Sequence, residues 1–184
     1  MPAMAENCIN GYHGTTLENA ILIKESQEFK FSNKDTEWLG AGAYFFAYKA
    51  HAEWWITHNR FADTETEILC ATLEYDNDQL LDLDDPDQLA MLEMLTKAAV
   101  REVNTYFQDT TKAKIQTPEW IWCFTCNLIR KLSPEIGIIM YTFPDRKGLY
   151  PYSRFRGSQK QLCVSDHSII RNIRSCAGES YVKC

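Results

Sequence analysis

The sequence predicts a single α+β domain, and three observations carry that prediction. The chain has 184 residues, which suits one domain with its own core. Hydrophobic residues make up 45% and charged residues 24%, the balance of a globular chain. Short runs rich in β-formers are interspersed with longer runs of helical periodicity, and each kind is punctuated by capping or turn residues.

Taken in order, Ile9 to His13 reads as a short strand, and Thr16 as the N-cap of a helix carrying Leu17, Ala20, Ile21 and Ile23. Lys24 to Thr36 is polar, anchored by Phe29 and Phe31, and reads as a mobile loop. Ala43 to Ala47 is a second strand, preceded by Gly40 and Gly42, which let a backbone approach a ligand. His51 to Phe61 is a helix with Trp54, Trp55 and His58. Thr66 to Tyr75 is a strong strand, and the acidic stretch Asp76 to Asp87 is a solvated turn pinned by Leu80, Leu81 and Leu83. A helix from Gln88 to about Gln108 places Leu92, Leu95, Ala99, Val103 and Tyr106 on one stripe. A second begins near Pro118 and carries Trp120, Ile121, Phe124, Leu128 and Leu132. Ile136 to Phe143 reads as a buried strand, Pro144 to Gly157 as a loop, and Lys160 to Ser165 as the last strong strand. The tail after Arg174 shows neither pattern, and no internal repeat or low-complexity tract interrupts the chain.

Glu119, Arg130 and Lys131 break up the most apolar stretch, so no membrane span is expected. Met1 to Cys8 has neither a basic residue nor an apolar block, so no secretory signal is expected and a cytoplasmic protein is. Seven cysteines lie mostly in apolar sequence, which fits reduced thiols better than a disulfide framework. Cys123 and Cys126 form a C-x-x-C, but no second pair stands at a zinc-like spacing, so they read as two cysteines packed in a helix and no metal is expected. The net charge of −6 is unevenly spread. Residues 1–111 hold 7 Lys+Arg against 20 Asp+Glu, a net of −13, and residues 112–184 hold 12 against 5, a net of +7. A basic C-terminal half steers a polyanion to one face, or complements the acidic half or an acidic partner.

The candidate chemistry begins at Tyr12-His13-Gly14-Thr15. It is followed by the helix-like run, then by Trp38-Leu39-Gly40-Ala41-Gly42-Ala43-Tyr44-Phe45-Phe46, then by Ala52-Glu53-Trp54-Trp55. This order resembles the His-Tyr-Glu branch of the ADP-ribosyltransferases, which diphtheria-type toxins share with poly(ADP-ribose) polymerases. There a His-Gly-Thr or His-Gly-Ser strand precedes a Gly-x-Gly-x-Tyr-Phe element, and an alanine-rich helix bearing a second aromatic follows. The match covers the first sixty residues and, more loosely, the last thirty.

The resemblance implies a split antiparallel β-sheet with flanking helices that binds NAD, as substrate, between its two halves. It assigns His13 to the adenosine ribose, and the backbone of Gly14 to the nicotinamide carboxamide. Thr15 and Gly42 complete the cofactor-binding set. Tyr44 would stack on the nicotinamide ring and Trp54, or in second place Trp55, would close its other face, since planar aromatics suit a cationic pyridinium. The family's third residue is a glutamate at the start of the last core strand. Here that strand reads Gln159-Lys160-Gln161-Leu162, and the position falls on Gln161.

Glutamine holds a ribose hydroxyl by its amide oxygen but supplies no charge and no base. The expected catalytic set is therefore His13, Tyr44 and Gln161, with single transfer of ADP-ribose rather than chain elongation. Asp166, Glu119 and Asp145 are the carboxylates considered as help. Arg146, Lys147, Arg154 and Arg156, with Lys160, would ring the cleft mouth and bind target phosphates or the NAD pyrophosphate. The implied activity is NAD-dependent mono-ADP-ribosyl transfer by an intracellular bacterial or phage effector, either a toxin controlled by an antitoxin or a phage-defence protein. RNA is favoured as target over protein; the alternatives are an NAD- or ADP-ribose-binding module without turnover and an interaction protein that uses the fold only as a scaffold.

Overall fold

The structure, a computed structural model, describes residues 5–58, 64–106, 117–149 and 156–176. Within them the chain runs β1 (Asn7–Thr16), α1 (Leu17–Ser26), β2 (Ala43–Phe46), α2 (Lys49–His58), β3 (Thr66–Tyr75), β4 (Leu80–Asp82), α3 (Pro86–Tyr106), α4 (Pro118–Leu132), β5 (Ile138–Leu149), β6 (Arg156–Val164) and β7 (Ile170–Ser175). The seven strands form one sheet in the order β4-β5-β6-β2-β1-β3-β7. Every neighbouring pair is antiparallel except β4 with β5, so the sheet is mixed rather than wholly antiparallel.

Local chemistry sets the elements. Thr16 and Thr117 each accept a hydrogen bond from a backbone N–H of the first turn of α1 and α4, and Pro118 opens α4 where its missing N–H costs nothing. Alternation then divides the core into two clusters, one on each face. Ala43, Phe45, Ile138, Met140, Leu162 and Val164 join Leu69 and Leu73 of β3 with Ala20 of α1. The intervening residues Ile139 and Cys163 pack on the other face with Leu92 of α3 and with Cys126 and Ile129 of α4, and Tyr44, Tyr141 and Phe143 flank them.

The sheet is unevenly sewn. β1 pairs with β3 along ten residues, from Asn7↔Tyr75 to Thr16↔Thr66, whereas its register with β2 holds the single pair Tyr12↔Phe46. Phe46 in turn pairs with Gln161 of β6. No further β1–β2 pair follows, so within the one sheet this single pair joins β4-β5-β6-β2 to β1-β3-β7.

Several sequence expectations are corrected. The segment from Pro144 to Gly157 is not wholly loop: β5 runs on to Leu149 and β6 starts at Arg156, with Leu149 opposite Arg156 after a register shift. The Lys24–Thr36 loop is pinned by a two-way backbone bridge between Ser32 and Gly42, by stacking of Phe31 on His167, and by burial of Phe29. The acidic turn contains β4, whose Leu81 is buried along with Leu83. β7 had no counterpart in the sequence reading. The predicted ends at Phe61 and Gln108 lie outside the described residues, where α2 and α3 are followed to His58 and Tyr106.

Truncating Leu162, 1% exposed in the first cluster, should cost about 2–5 kcal/mol of unfolding free energy as Leu162→Ala. Leu132→Ala, at a site 61% exposed, should stay within about 0.5 kcal/mol. Urea denaturation midpoints of the two variants check the contrast.

Candidate functional site

The parting of β1 from β2 opens onto a cleft of about 1010 Å3, at the top of the roughly 300–1,000 Å3 range of small-molecule sites. His13, Gly14, Tyr44, Trp54, Trp55 and Gln161 all line it. They come from three strands and a helix, and Gln161 is brought beside the others through the Tyr12↔Phe46↔Gln161 row.

His13 sits where the two half-sheets diverge. Its Nδ1 lies 2.7 Å from the Tyr44 carbonyl oxygen. A carbonyl only accepts, so Nδ1 carries the proton and the neutral ring keeps its acceptor at Nε2. The edges of Phe29 and Phe45 pack around the imidazole at ring separations of 5.0 and 6.0 Å. Burial holds the His13 pKa below its ordinary value, against the opposing pull of the Tyr44 carbonyl.

Tyr44 presents a fixed ring. Its hydroxyl donates to the Gly40 carbonyl at 2.8 Å and accepts the Leu39 N–H at 2.9 Å, and burial pushes the phenol pKa well above the ordinary range. The turn it leans on is held from α4. Asn127 Oδ1 accepts the Ala41 N–H at 2.8 Å, and Arg130 donates to the carbonyls of Ala41 at 2.7 Å and Cys163 at 2.9 Å. Gly40 adopts φ 82° here, and an added Cβ would lie 2.7 Å from Asn127 Oδ1, so both backbone and space call for glycine.

Gly14 has a packing reason for lacking a side chain. A Cβ would lie 2.5 Å from Ile56 Cγ2 of α2 and 3.1 Å from the Ala52 carbonyl oxygen. The β2-facing edge of its backbone lies beyond the last β1–β2 pair. Of the two tryptophans, Trp54 stacks on His58 at 4.8 Å, while Trp55 stands 6.1 Å from Phe46 and nearer Gly14.

Two predicted binding residues are differently placed. Gly42 borders the cleft, but its N–H and C=O are both bonded to Ser32, so its backbone is committed to the fold. Thr15 is buried opposite Glu67 and does not line the cleft. Lys160 belongs to the other face of β6 from Gln161, where it pairs with Asp84 at 2.9 Å. Arg146 and Lys147 lie on β5 and Arg156 opens β6; Arg154 is outside the described residues. Asp166 caps the short turn after β6, and neither it nor Glu119 lines the cleft. The carboxylates that do, among the described residues, are Glu37 and Glu93. Neither stood out in the sequence: Glu37 sits in a polar stretch, and Glu93 reads as one more residue of an amphipathic helix, although a lone carboxylate among Met91, Leu92, Met94 and Leu95 was a signal that could have found it. Among the described residues no group of His, Cys, Asp or Glu is arranged to hold a metal, and no helix is long and apolar enough to cross a membrane.

Two outcomes follow from these contacts. Gly14→Ala should lose about 1–3 kcal/mol by driving a methyl into α2, and adding Ile56→Ala should recover part of the loss; thermal melting of the single and double variants measures it. The pKa values of His13 and His51 are both lowered by burial from an ordinary 6.5. The unfolded chain therefore takes up those protons first. Stability should be full above about pH 6.5 and fall as pH drops through the folded values, and His13→Gln should flatten that slope in denaturation at stepped pH.

No family model matches the chain, and no solved structure matches it. It is 33% identical over 95 residues to an uncharacterised protein of Methanocaldococcus jannaschii, an alignment spanning 47% of this chain and 42% of that relative. The chain thus spans less than half the length of the relative it matches.

Proposed function

We propose that the protein is an NAD-dependent mono-ADP-ribosyltransferase with the split-sheet fold of that family. The observation carrying this reading is the convergence of His13, Tyr44 and Gln161, far apart in sequence, on one cleft at the row where the sheet divides.

In this reading the nicotinamide ring lies against Tyr44, with a tryptophan of α2 on its other face and its carboxamide on the Gly14 backbone. The Nε2 of neutral His13 accepts a ribose hydroxyl of the adenosine half. The amide oxygen of Gln161 accepts a hydroxyl of the nicotinamide ribose and so fixes the anomeric carbon for attack. The bond from nicotinamide nitrogen to that carbon breaks, and its electron pair leaves with neutral nicotinamide. The acceptor's nucleophile forms the new bond, and its proton passes to a cleft carboxylate or to water. Positive charge builds on the sugar in between. Two negative residues, Glu37 and Glu93, border the cleft and favour it electrostatically.

Gln161 gives this site no base of its own, so an acceptor that is already a good nucleophile suits it and chain elongation does not. The +7 net charge of residues 112–184 favours nucleic acid, RNA first, as the target. Small intracellular toxins and phage-defence effectors, some restrained by an antitoxin, are the class in which such an activity would sit. The neutral amide at Gln161 also favours a second reading, a module that binds NAD or ADP-ribose without turnover.

Nicotinamide release from NAD decides between the two. Wild type should release it, and His13→Ala and Tyr44→Ala should each lose about 100-fold while remaining folded by circular dichroism. Gln161→Glu should raise release by about tenfold or more. NAD binding without release, in wild type and in Gln161→Glu alike, would favour the binding module.

A further inference from the structure

The cleft also carries a second aromatic wall, beginning at Tyr141 opposite Gln161, that the NAD reading leaves unused. Trp38 from the loop before β2, Trp122 from α4, and Tyr141 and Phe143 from β5 all line it. Their rings meet at steep angles: Trp38 to Phe143 at 4.8 Å and 53°, Trp38 to Trp122 at 6.2 Å and 77°, and Tyr141 to Phe143 at 4.8 Å and 88°. An edge-on contact covers one face of one ring only, so less ring surface is used up than in a parallel stack. Elsewhere in the molecule, stacked pairs such as Trp120 with Phe124 at 8° cover each other's faces. Trp122 is 40% exposed although it is a large apolar side chain.

We propose that this wall receives an unpaired nucleobase of a single-stranded RNA, the acceptor of the transfer. Every base has a π-face, and stacking on aromatic side chains is how sequence-tolerant single-strand binding gains its affinity. The polar groups beside the wall suit a base edge. Gln159 lies opposite Phe143 in the β5–β6 register and lines the cleft, offering an amide donor and acceptor, while Glu93 accepts from an exocyclic amine. A charged peptide side chain would shed its water against apolar rings, whereas a neutral base leaves its charge on the phosphates. The same two strands carry basic residues farther along: Arg146 and Lys147 follow Phe143 on β5, and Arg156 precedes Gln159 on β6.

The acceptor role rests on the ADP-ribosyl-transfer reading; the nucleobase site does not. Fluorescence anisotropy of labelled ten-nucleotide single-stranded RNAs on the full chain, without NAD, tests the site directly. Wild type should bind, and both Trp122→Ala and Phe143→Leu should weaken binding by about tenfold, with nicotinamide release from NAD alone within about twofold of wild type. Two variants on different elements guard against a local folding defect in one. A wild type that binds no oligonucleotide, or variants that bind it as wild type does, would overturn the proposal. So would an equal loss of NAD affinity in both variants, which would give the wall to the adenine of NAD instead. Oligonucleotide binding through Trp122 with no nicotinamide released would keep the nucleobase site and overturn the transfer reading.

Discussion

The hydrogen bond from His13 Nδ1–H to the Tyr44 carbonyl spans the place where the sheet comes apart. On one side β1, β3 and β7 are laced together over long registers; on the other, β2 is bound to β6. Between these halves β1 and β2 share one residue pair and this side-chain bridge. A bond of this kind is worth only about 0.5–1.5 kcal/mol net. Its larger effect is geometric. It lets β1 and β2 separate without leaving the Tyr44 carbonyl unpaired, and it fixes the imidazole tautomer so that Nε2 remains an acceptor. The depressed pKa keeps the ring neutral through physiological pH, so that acceptor persists.

The rest of the fold supports that separation. α4 anchors the Gly40–Gly42 turn through Asn127 and Arg130, and the turn in turn clamps the hydroxyl of Tyr44. Arg130 also reaches the Cys163 carbonyl on β6 and so ties the turn to the strand bearing Gln161. α2 closes over Gly14 from the other half-sheet, bringing Trp55 toward the same opening. The residues facing the cleft are thus set by elements whose own side chains are already bonded. A site built this way loses little conformational entropy when a ligand binds.

Much of this was legible in the sequence where one local rule dominates. The Thr66–Tyr75 strand has its predicted bounds because β-formers fill it from end to end. α1 begins where Thr16 caps it, and α4 begins at Pro118 as its place in a first turn implies. The elements missed are those that local rules do not reach. β4 has three residues and exists by pairing with β5, far along the chain. β7 lacks strict alternation because Asn172 takes φ 51° and the pairing shifts between Cys70 and Thr72, which moves its buried isoleucines, Ile170 and Ile173, to a spacing of three. His13, Tyr44 and Gln161 were named from sequence because they stand in a recognisable order. Glu93, Asn127 and Arg130 were not, since only the packing of α3 and α4 on the sheet brings them to the cleft and its turn. Lys160 was misjudged for a period-two reason: adjacent to Gln161, it belongs to the opposite face and answers Asp84.

The proposed NAD site turns on one atom, the Nε2 of His13. Nitrogen NMR of the protein carrying isotope-labelled histidine, recorded with and without NAD, reads that atom directly. The account predicts a neutral Nδ1–H tautomer in the free protein, with the Nε2 resonance shifting as NAD binds and a ribose hydroxyl donates to it. An Nε2–H tautomer, or an Nε2 resonance that stays fixed while NAD saturates the protein, would contradict it.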